Sequence, residues 1–343
     1  MKLVIQIPCL NEERTLPATL AALPRQIEGV DTIEVLVIDD GSTDRTAEVA
    51  LAHGAHVVRF RGRRGLAKAF SAGLDEALRL GADAIVNTDG DNQYQAADFP
   101  ILLQPLLHDE ADMVVGDRQV AGIVHFSPFK RRLQRLGSWV VRKASNLEVA
   151  DATSGFRAFS KDAALRLNVL STYSYTLETL IQAGQLGLRV ASVPVRTNPP
   201  ARPSRLFRSM VGYVFQSTKS IVLIYSMYRP LRVCLSIGAV VFSAGFALGA
   251  RFCVDYLQGD SAGKLPSLVI GAVLMLVGCQ TAVTGLLADL IGRNRQLSEA
   301  TLWRLRRLEL ESRQQTPAHA TALRAETLDG TARRRRLARA ASL

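Results

Sequence analysis

Up to about residue 200 the chain alternates short runs rich in valine and isoleucine with longer stretches of helical spacing. The runs KLVIQIP, IEVLVIDD, HVVRF, AIVNTD and DMVVGD have strand length, and each ends in turn or acidic residues. Between them Arg14 to Leu23, Thr43 to His53 and Leu66 to Leu80 predict helices. Strand and helix repeated in this order imply an α/β fold, a Rossmann-like, mostly parallel sheet with helices on both faces. Ligands on such sheets gather beyond the carboxyl ends of the strands, so chemistry is sought just after each run.

Beyond residue 230 the pattern changes. Residues 231–250 carry one charge, Arg232 at the edge, and residues 265–288 carry none. Each is long enough to cross roughly 30 Å of hydrocarbon as a helix. Buried core helices are the competing reading, but apolar residues run all round both stretches, and Gly and Ser are frequent, as in membrane spans. The loop between them holds Arg251 and Lys264, whereas the outer flanks hold Arg205, Arg208, Lys219 and Arg229 before and Arg293, Arg295, Arg304, Arg306 and Arg307 after. The positive-inside rule then predicts a transmembrane helical hairpin in the cell (inner) membrane, multi-pass, with both termini cytoplasmic. This gives four parts: a cytosolic catalytic domain at 1–204, juxtamembrane amphipathic helices at 205–230, two transmembrane helices within 231–292, and a basic segment at 293–343. Of the last, the stretch to about Ser312 predicts a helix, able to join protomers in a homo-oligomer or to lie on the bilayer, and the remainder predicts disorder.

Charge changes the picture modestly. A formal net charge of +11 over 343 residues points to polyanionic partners, whether nucleic acid, nucleotide phosphates or an anionic membrane surface. The cysteines, Cys9, Cys234, Cys253 and Cys279, form no C-x-x-C pair, so neither a disulfide frame nor a zinc site is indicated. The first apolar run is too short, and too soon followed by acids, for a secretory signal.

Three constellations follow strand ends. Asp39-Asp40-Gly41-Ser42-Thr43-Asp44 offers carboxylates suited to ribose hydroxyls or a base, and a turn with a helix cap explains only part of it. Asp89-Gly90-Asp91-Asn92-Gln93 places hard oxygen ligands on one side of a loop, as Mg²⁺ or Mn²⁺ prefers, although an acidic turn reads the same in isolation. Asp151-Ala152-Thr153-Ser154-Gly155-Phe156-Arg157 comes after Gly116-Asp117-Arg118 and the basic stretch Lys130, Arg131, Arg132, Arg135, Arg142 and Lys143. Arginines there suit a diphosphate or an anionic acceptor, and a solvated or interfacial basic helix is the alternative.

Together PCLNE (8–12), DDGSTD (39–44), DGDNQ (89–93), GDR (116–118), SGFR (154–157) and SRL (204–206) resemble the family 2 glycosyltransferases of GT-A fold. The likeness is greatest to the branch of dolichol-phosphate mannose synthases and bacterial polyprenyl-phosphate glycosyltransferases, and it spans roughly residues 1–230. SRL stands where that branch commonly has SKL. The resemblance implies that Pro8, Glu12, Asp39, Asp40 and Asp89 hold the nucleotide and that Asp89, Asp91 and Gln93 meet a Mg²⁺ or Mn²⁺ ion. It further implies that Arg118, Arg131, Arg132, Ser154, Arg157, Arg202 and Arg205 face the acceptor phosphate or the diphosphate, with Asp89, Asp91 and Arg118 central to catalysis.

The activity so implied is inverting transfer of a sugar from a UDP- or GDP-sugar to a polyprenyl phosphate on the cytosolic membrane face. A phosphate monoester, with a second pKa of about 6, is already largely dianionic at neutral pH and needs no strong base. That suits a chain in which no histidine stands at a strand end beside the acids. Transfer to a lipid or protein hydroxyl would need a carboxylate base, for which Asp117 and Glu178 are candidates. A processive synthase of the same fold would carry a Q-x-x-R-W motif, and neither Trp139 nor Trp303 sits in one. A nucleotide-binding membrane scaffold is the non-enzymatic alternative; no nucleic-acid motif is present, so nucleic acid is not an expected partner.

Overall fold

The computed structural model describes residues 1–119, 145, 147–169, 175–198, 226, 229–259 and 265–340. The described residues form a seven-stranded sheet from β1 (Lys2–Cys9), β2 (Thr32–Asp39), β3 (His56–Arg59), β4 (Ala84–Asn87), β5 (Met113–Asp117), β6 (Arg157–Ser160) and β7 (Val190–Pro194). The strand order is β3-β2-β1-β4-β6-β5-β7. β6 runs antiparallel to both β4 and β5, and the other pairings are parallel. The helices are α1 (Leu16–Ala22), α2 (Thr46–Ala52), α3 (Leu66–Arg79), α4 (Phe99–Leu107), α5 (Lys161–Arg166), α6 (Tyr175–Gln185), α7 (Pro230–Leu257) and α8 (Leu265–Ala340).

β1 is central, and covering on both faces is why its sequence reads almost continuously apolar. Alternate side chains feed two cores. Val4 joins Leu36, Ile38 and Phe70 on the α3, α5 and α6 side. Leu3, Ile5 and Ile7 join Leu16, Phe99 and Leu102 on the α1 and α4 side. A fully buried side chain of this kind is worth about 1.5–3 kcal/mol, so a one-residue slip of β1 would be prohibitive. The chain runs from β1 outward through β2 and β3, then returns to the other side of β1 with β4. That reversal opens a crevice between the carboxyl ends of β1 and β4.

α7 and the first part of α8 provide two helices of 28 residues, Pro230–Leu257 and Leu265–Gly292, each long and apolar enough to cross a bilayer. They pack antiparallel through glycines. A Cβ on Gly238 would lie 2.7 Å from the Gly278 carbonyl oxygen, and one on Gly245 would lie 2.6 Å from that of Gly271. Such close approach of backbones is how helices associate where water supplies no driving force. Their outer faces are bare, with Val240 71%, Leu276 71% and Ile291 72% exposed. Past Gly292, α8 stays helical to Ala340, where the sequence led us to expect disorder beyond 312. Ala and Arg, frequent in that stretch, are strong helix formers, which a reading based on low hydrophobicity underweights.

Candidate active site

The loops after β1 and β2 are zipped together. Cys9 pairs with Asp39, and the Asp40 amide donates to the Cys9 carbonyl at 2.9 Å. Asn11, with φ +55°, donates its amide to Ser42 Oγ at 2.9 Å and accepts from the Thr43 amide at 2.8 Å. The Glu12 amide donates to Thr46 Oγ1 at 2.9 Å, and the carboxylate of the buried Glu12 accepts from Thr15 Oγ1 at 2.7 Å. Pro8 lies within β1 opposite Ile38.

Asp39 and Asp40 differ in task. Asp39 is fully buried, accepts from the Ser42 amide at 2.7 Å and pairs with Arg59 Nε at 3.1 Å. Asp40 accepts from the amides of Arg64 at 2.7 Å and Gly65 at 2.9 Å, tying down the 62–65 loop that leads into α3. Gly41 in the turn between them and Ser42 has φ +78°, and a Cβ there would lie 2.6 Å from the Gly62 carbonyl carbon, so this turn abuts that loop directly.

The acidic loop after β4 enters the crevice from the other side. A Cβ on Gly90 would lie 2.9 Å from Cys9 Sγ, and the Gly90 carbonyl accepts from Thr19 Oγ1 at 3.1 Å. Cys9 therefore stands between the β2 acids and the β4 acids. Its thiol is pushed well up by burial and then by the charges of Glu12, Asp39, Asp89 and Asp44. Asp91 accepts from the Gln93 amide at 3.2 Å. The loop is held from β7: the Asn198 amide donates to the Gln93 carbonyl at 2.8 Å, and Asn198 Nδ2 donates to the Asn92 carbonyl at 2.9 Å, with Asn92 at φ +57°.

Asp89 is the electrostatic focus. Burial and the adjacent Asp91 charge, with a further push from Glu12, raise its pKa to about 7 against the pull of Arg118. A carboxylate crowded by like charges is one that a cation would stabilise. Among the described residues no group of three or more His, Cys, Asp and Glu side chains is gathered for a metal. Mg²⁺-type sites in phosphate enzymes use one or two carboxylates and complete the shell with substrate phosphate and water, so the Asp89 and Asp91 pair fits such an ion.

Arg118, at the end of β5, is clamped. Its Nε donates to Asp151 Oδ2 at 2.6 Å, and its Nη2 donates to Asp151 Oδ1 at 3.1 Å and Thr153 Oγ1 at 2.8 Å. Despite burial, that pairing holds the Asp151 carboxyl below its usual range. The bidentate edge of Arg118 thus faces Asp151, and Nη1 is the part of the fork that this pairing leaves over.

One expectation from the SGFR motif is corrected. Arg157 is fully buried and donates to the Ser154 carbonyl at 2.8 Å, Ala152 carbonyl at 2.9 Å, Thr176 carbonyl at 2.7 Å and Thr179 Oγ1 at 2.7 Å. Desolvation depresses its pKa to about 10, and its fork is spent on the 151–157 loop and α6, so it does not face a phosphate. Ser154 is likewise fully buried. Glu178, a candidate base, is buried in α6, where it accepts from Gln182 Nε2 at 3.3 Å. Arg131, Arg132, Arg202 and Arg205 lie outside the described residues, as do Arg135, Trp139 and the stretch 205–225.

Several residues here escaped the sequence reading. Asn87 Nδ2 donates to the Gly155 carbonyl at 2.8 Å and to Tyr175 Oη at 2.9 Å, and the Gly155 amide donates to Tyr94 Oη at 3.1 Å. These bonds pin Gly155 over Asp89: a Cβ on Gly155 would lie 3.1 Å from both Asp89 carboxylate oxygens. An aromatic directly after DGDNQ was the available signal for Tyr94.

Comparison with known proteins agrees with this geometry. The family model described as glycosyl transferase family 2 matches residues 4–167. The chain is 31% identical to an undecaprenyl-phosphate mannosyltransferase of Micrococcus luteus over 206 residues, 57% of this chain and 83% of that protein. It is 30% identical to a UDP-N-acetylglucosamine–dolichyl-phosphate N-acetylglucosaminyltransferase of Methanococcus voltae, over 56% of this chain and 83% of the other. A crystal structure of glucosyl-3-phosphoglycerate synthase from Mycobacterium tuberculosis, in complex with Mn²⁺, uridine diphosphate and phosphoglyceric acid, superposes with a TM-score of 0.50 at 25% identity, over 64% of this chain and 78% of that one. With its GT-A-like sheet, its acids meeting at one crevice and relatives of this kind, the chain belongs to the family 2 glycosyltransferases and is a glycosyltransferase.

Proposed function

We propose that the chain transfers a sugar, with inversion, from a UDP- or GDP-sugar to a polyprenyl phosphate at the cytosolic face of the cell membrane. The observation that carries this is the meeting of the β1, β2 and β4 termini around Cys9, in a chain that also bears two exposed apolar helices. Relatives whose names specify undecaprenyl-phosphate and dolichyl-phosphate acceptors support the acceptor class.

In this reading residues 1–204 are the catalytic domain, 205–230 the juxtamembrane segment, and 231–292 the two spans. Asp89 and Asp91, with Gln93, hold Mg²⁺ or Mn²⁺, which when bound neutralises charge building on the departing diphosphate. Pro8 and Glu12 wall the nucleoside. Asp39 and Asp40 act by fixing the turn and the 62–65 loop around it. Arg118, oriented by Asp151, turns Nη1 toward anionic substrate, and Arg131, Arg132, Arg202 and Arg205 are the further cations that the family resemblance assigns to the acceptor phosphate or the diphosphate. Fixed charges placed where charge develops stabilise the transition state without reorganising.

The acceptor phosphate oxygen attacks the anomeric carbon opposite the leaving diphosphate. It needs no deprotonation near neutral pH. The test is to incubate reconstituted protein with a panel of UDP- and GDP-sugars and undecaprenyl phosphate and to identify the lipid product. Asp91→Ala is expected to abolish transfer while the melting temperature holds. Full activity of that variant, or of wild type in excess chelator, would overturn the metal assignment; a glycosylated hydroxyl product would overturn the acceptor.

A further inference from the structure

The catalytic domain is gripped from its far end by the helix that leaves the apolar hairpin. On α8, Trp303, Arg306 and Leu310 fall at i, i+3 and i+7, one stripe of the helix. Trp303 and Leu310 pack against the core that α3, α5 and α6 share with the sheet. Arg306 reaches into the same seam, where Nη1 donates to the Leu167 carbonyl at 3.2 Å and Nη2 pairs with Asp75 of α3 at 3.4 Å. The Arg166 guanidinium of α5 lies 5.4 Å from the centroid of the Trp303 ring, and Arg307 covers the same ring at 5.8 Å. None of these residues belongs to the crevice described above.

Helix geometry turns this contact into a measure of height. α8 is continuous from the apolar stretch ending at Gly292 through Leu310. At about 1.5 Å per residue, Trp303 stands ~16 Å and Leu310 ~27 Å beyond the end of that stretch. α3, which the stripe grips through Asp75, begins at the 62–65 loop that Asp40 ties down. A rigid path therefore runs from the apolar hairpin, along α8 and through α3, to the wall of the crevice.

We propose that Trp303 to Leu310 is a strut, and the α3/α5 face its docking surface, which together set the height and tilt at which the crevice meets an acceptor phosphate anchored in the bilayer. The proposal rests on the polyprenyl-phosphate reading for its purpose, but not for its geometry. A soluble acceptor can diffuse to the crevice at any height. A phosphate tethered at the bilayer surface cannot.

Both versions of the chain are tested full length in phospholipid vesicles, with seven residues of alanine-rich helix inserted between Ser298 and Glu299 in one. Seven residues nearly preserve the rotational phase of the stripe, drifting by about 20°, and lengthen the strut by ~10 Å. Transfer to membrane-embedded undecaprenyl phosphate is expected to fall at least tenfold, while transfer to a short-chain, water-soluble prenyl phosphate stays within about twofold. Arg306→Glu is expected to reproduce part of the loss, and adding Asp75→Arg to restore it. An insertion that leaves the embedded-acceptor rate unchanged overturns the strut.

Height is also read without any acceptor. A dye on Glu28→Cys, with Cys234, Cys253 and Cys279 replaced by serine, is paired with a lipid-headgroup dye. Energy transfer is expected to fall on insertion, and unchanged transfer overturns the proposal. If wild type uses neither acceptor while the dye pair responds, the acceptor reading fails and the strut stands.

Discussion

The carboxylate of Asp89 sits where one methyl group decides its freedom. Gly155→Ala would place a carbon 3.1 Å from both of its oxygens and 3.0 Å from Tyr175 Oη, in a loop already fixed by Asn87 and Tyr94. The expected result is a loss of Mn²⁺-dependent activity of roughly tenfold or more, about 1.4 kcal/mol of barrier, with a melting temperature close to wild type. Asp89 also makes a pH prediction. Its pKa of about 7 in the folded chain lies above its ordinary value of 3.8, so the folded form binds the proton more tightly. Stability from this group is present at low pH and is lost as pH rises toward and through 7. In chelator, Asp89→Asn should therefore match wild type near pH 4 and grow progressively more stable than wild type up to about pH 7, then hold a constant advantage. A pH-independent difference in denaturant midpoints would refute this. Arg157 shows where a motif misleads at this scale. The letters SGFR give a cation near the site but not which way it faces, and burial against three carbonyls and a hydroxyl makes it a brace. Arg157→Met is expected to cost at least about 3 kcal/mol in urea unfolding, because those acceptors lose their donors inside the core.

Among elements, the Val/Ile-rich runs that follow the parallel pattern were legible, and β1 to β5 stand where the periodicity put them. β6 and β7 were not. RAFS is only four residues and VASVP lies half-exposed at the sheet edge, so neither shows the apolar run of a central strand. Their pairings are long-range and leave no local signal: β6 meets β4 and β5, and β7 meets β5. The same holds for the partners of the acidic loop. DGDNQ is visible as acids after a strand, but Asn198 lies 106 positions from Asn92, and only the fold joins them. Asn198→Ala removes the side-chain bond that steadies Asn92 at positive φ and keeps the backbone bond to Gln93. Apparent Mn²⁺ affinity in the presence of uridine diphosphate should weaken several-fold, and excess Mn²⁺ should recover most of the rate; an unrecovered rate with lowered melting temperature would mean that Asn198 merely supports the fold. The hairpin was legible from length and composition, but its glycine seam was not, because pairing Gly238 with Gly278 and Gly245 with Gly271 requires the register of two helices.

For the whole molecule, the antiparallel seam puts Pro230 and Gly292 at the same end of the hairpin, and the docking of Trp303 and Arg306 puts the catalytic domain at that end too. Geometry alone leaves open which side of the membrane this is. The proposed cytoplasmic side rests on charge: Arg229 and Arg232 flank the first apolar helix and Arg293, Arg295, Arg304, Arg306 and Arg307 follow the second apolar stretch, against Arg251 and Lys264 by the intervening loop. Cations in short flanking segments are retained on the cytoplasmic side during insertion, because moving them through hydrocarbon costs several kcal/mol each on insertion scales. A nucleotide-sugar donor, made and held in the cytoplasm, would require the same orientation. The expectation is tested in a chain whose Cys234, Cys253 and Cys279 are serine, with a single new cysteine at Gln258 or at Ser298. In intact cells a membrane-impermeant maleimide should label Gln258→Cys and spare Ser298→Cys until the membrane is opened. The opposite pattern would place the crevice away from any cytoplasmic donor, and the proposed reaction would fall with the topology.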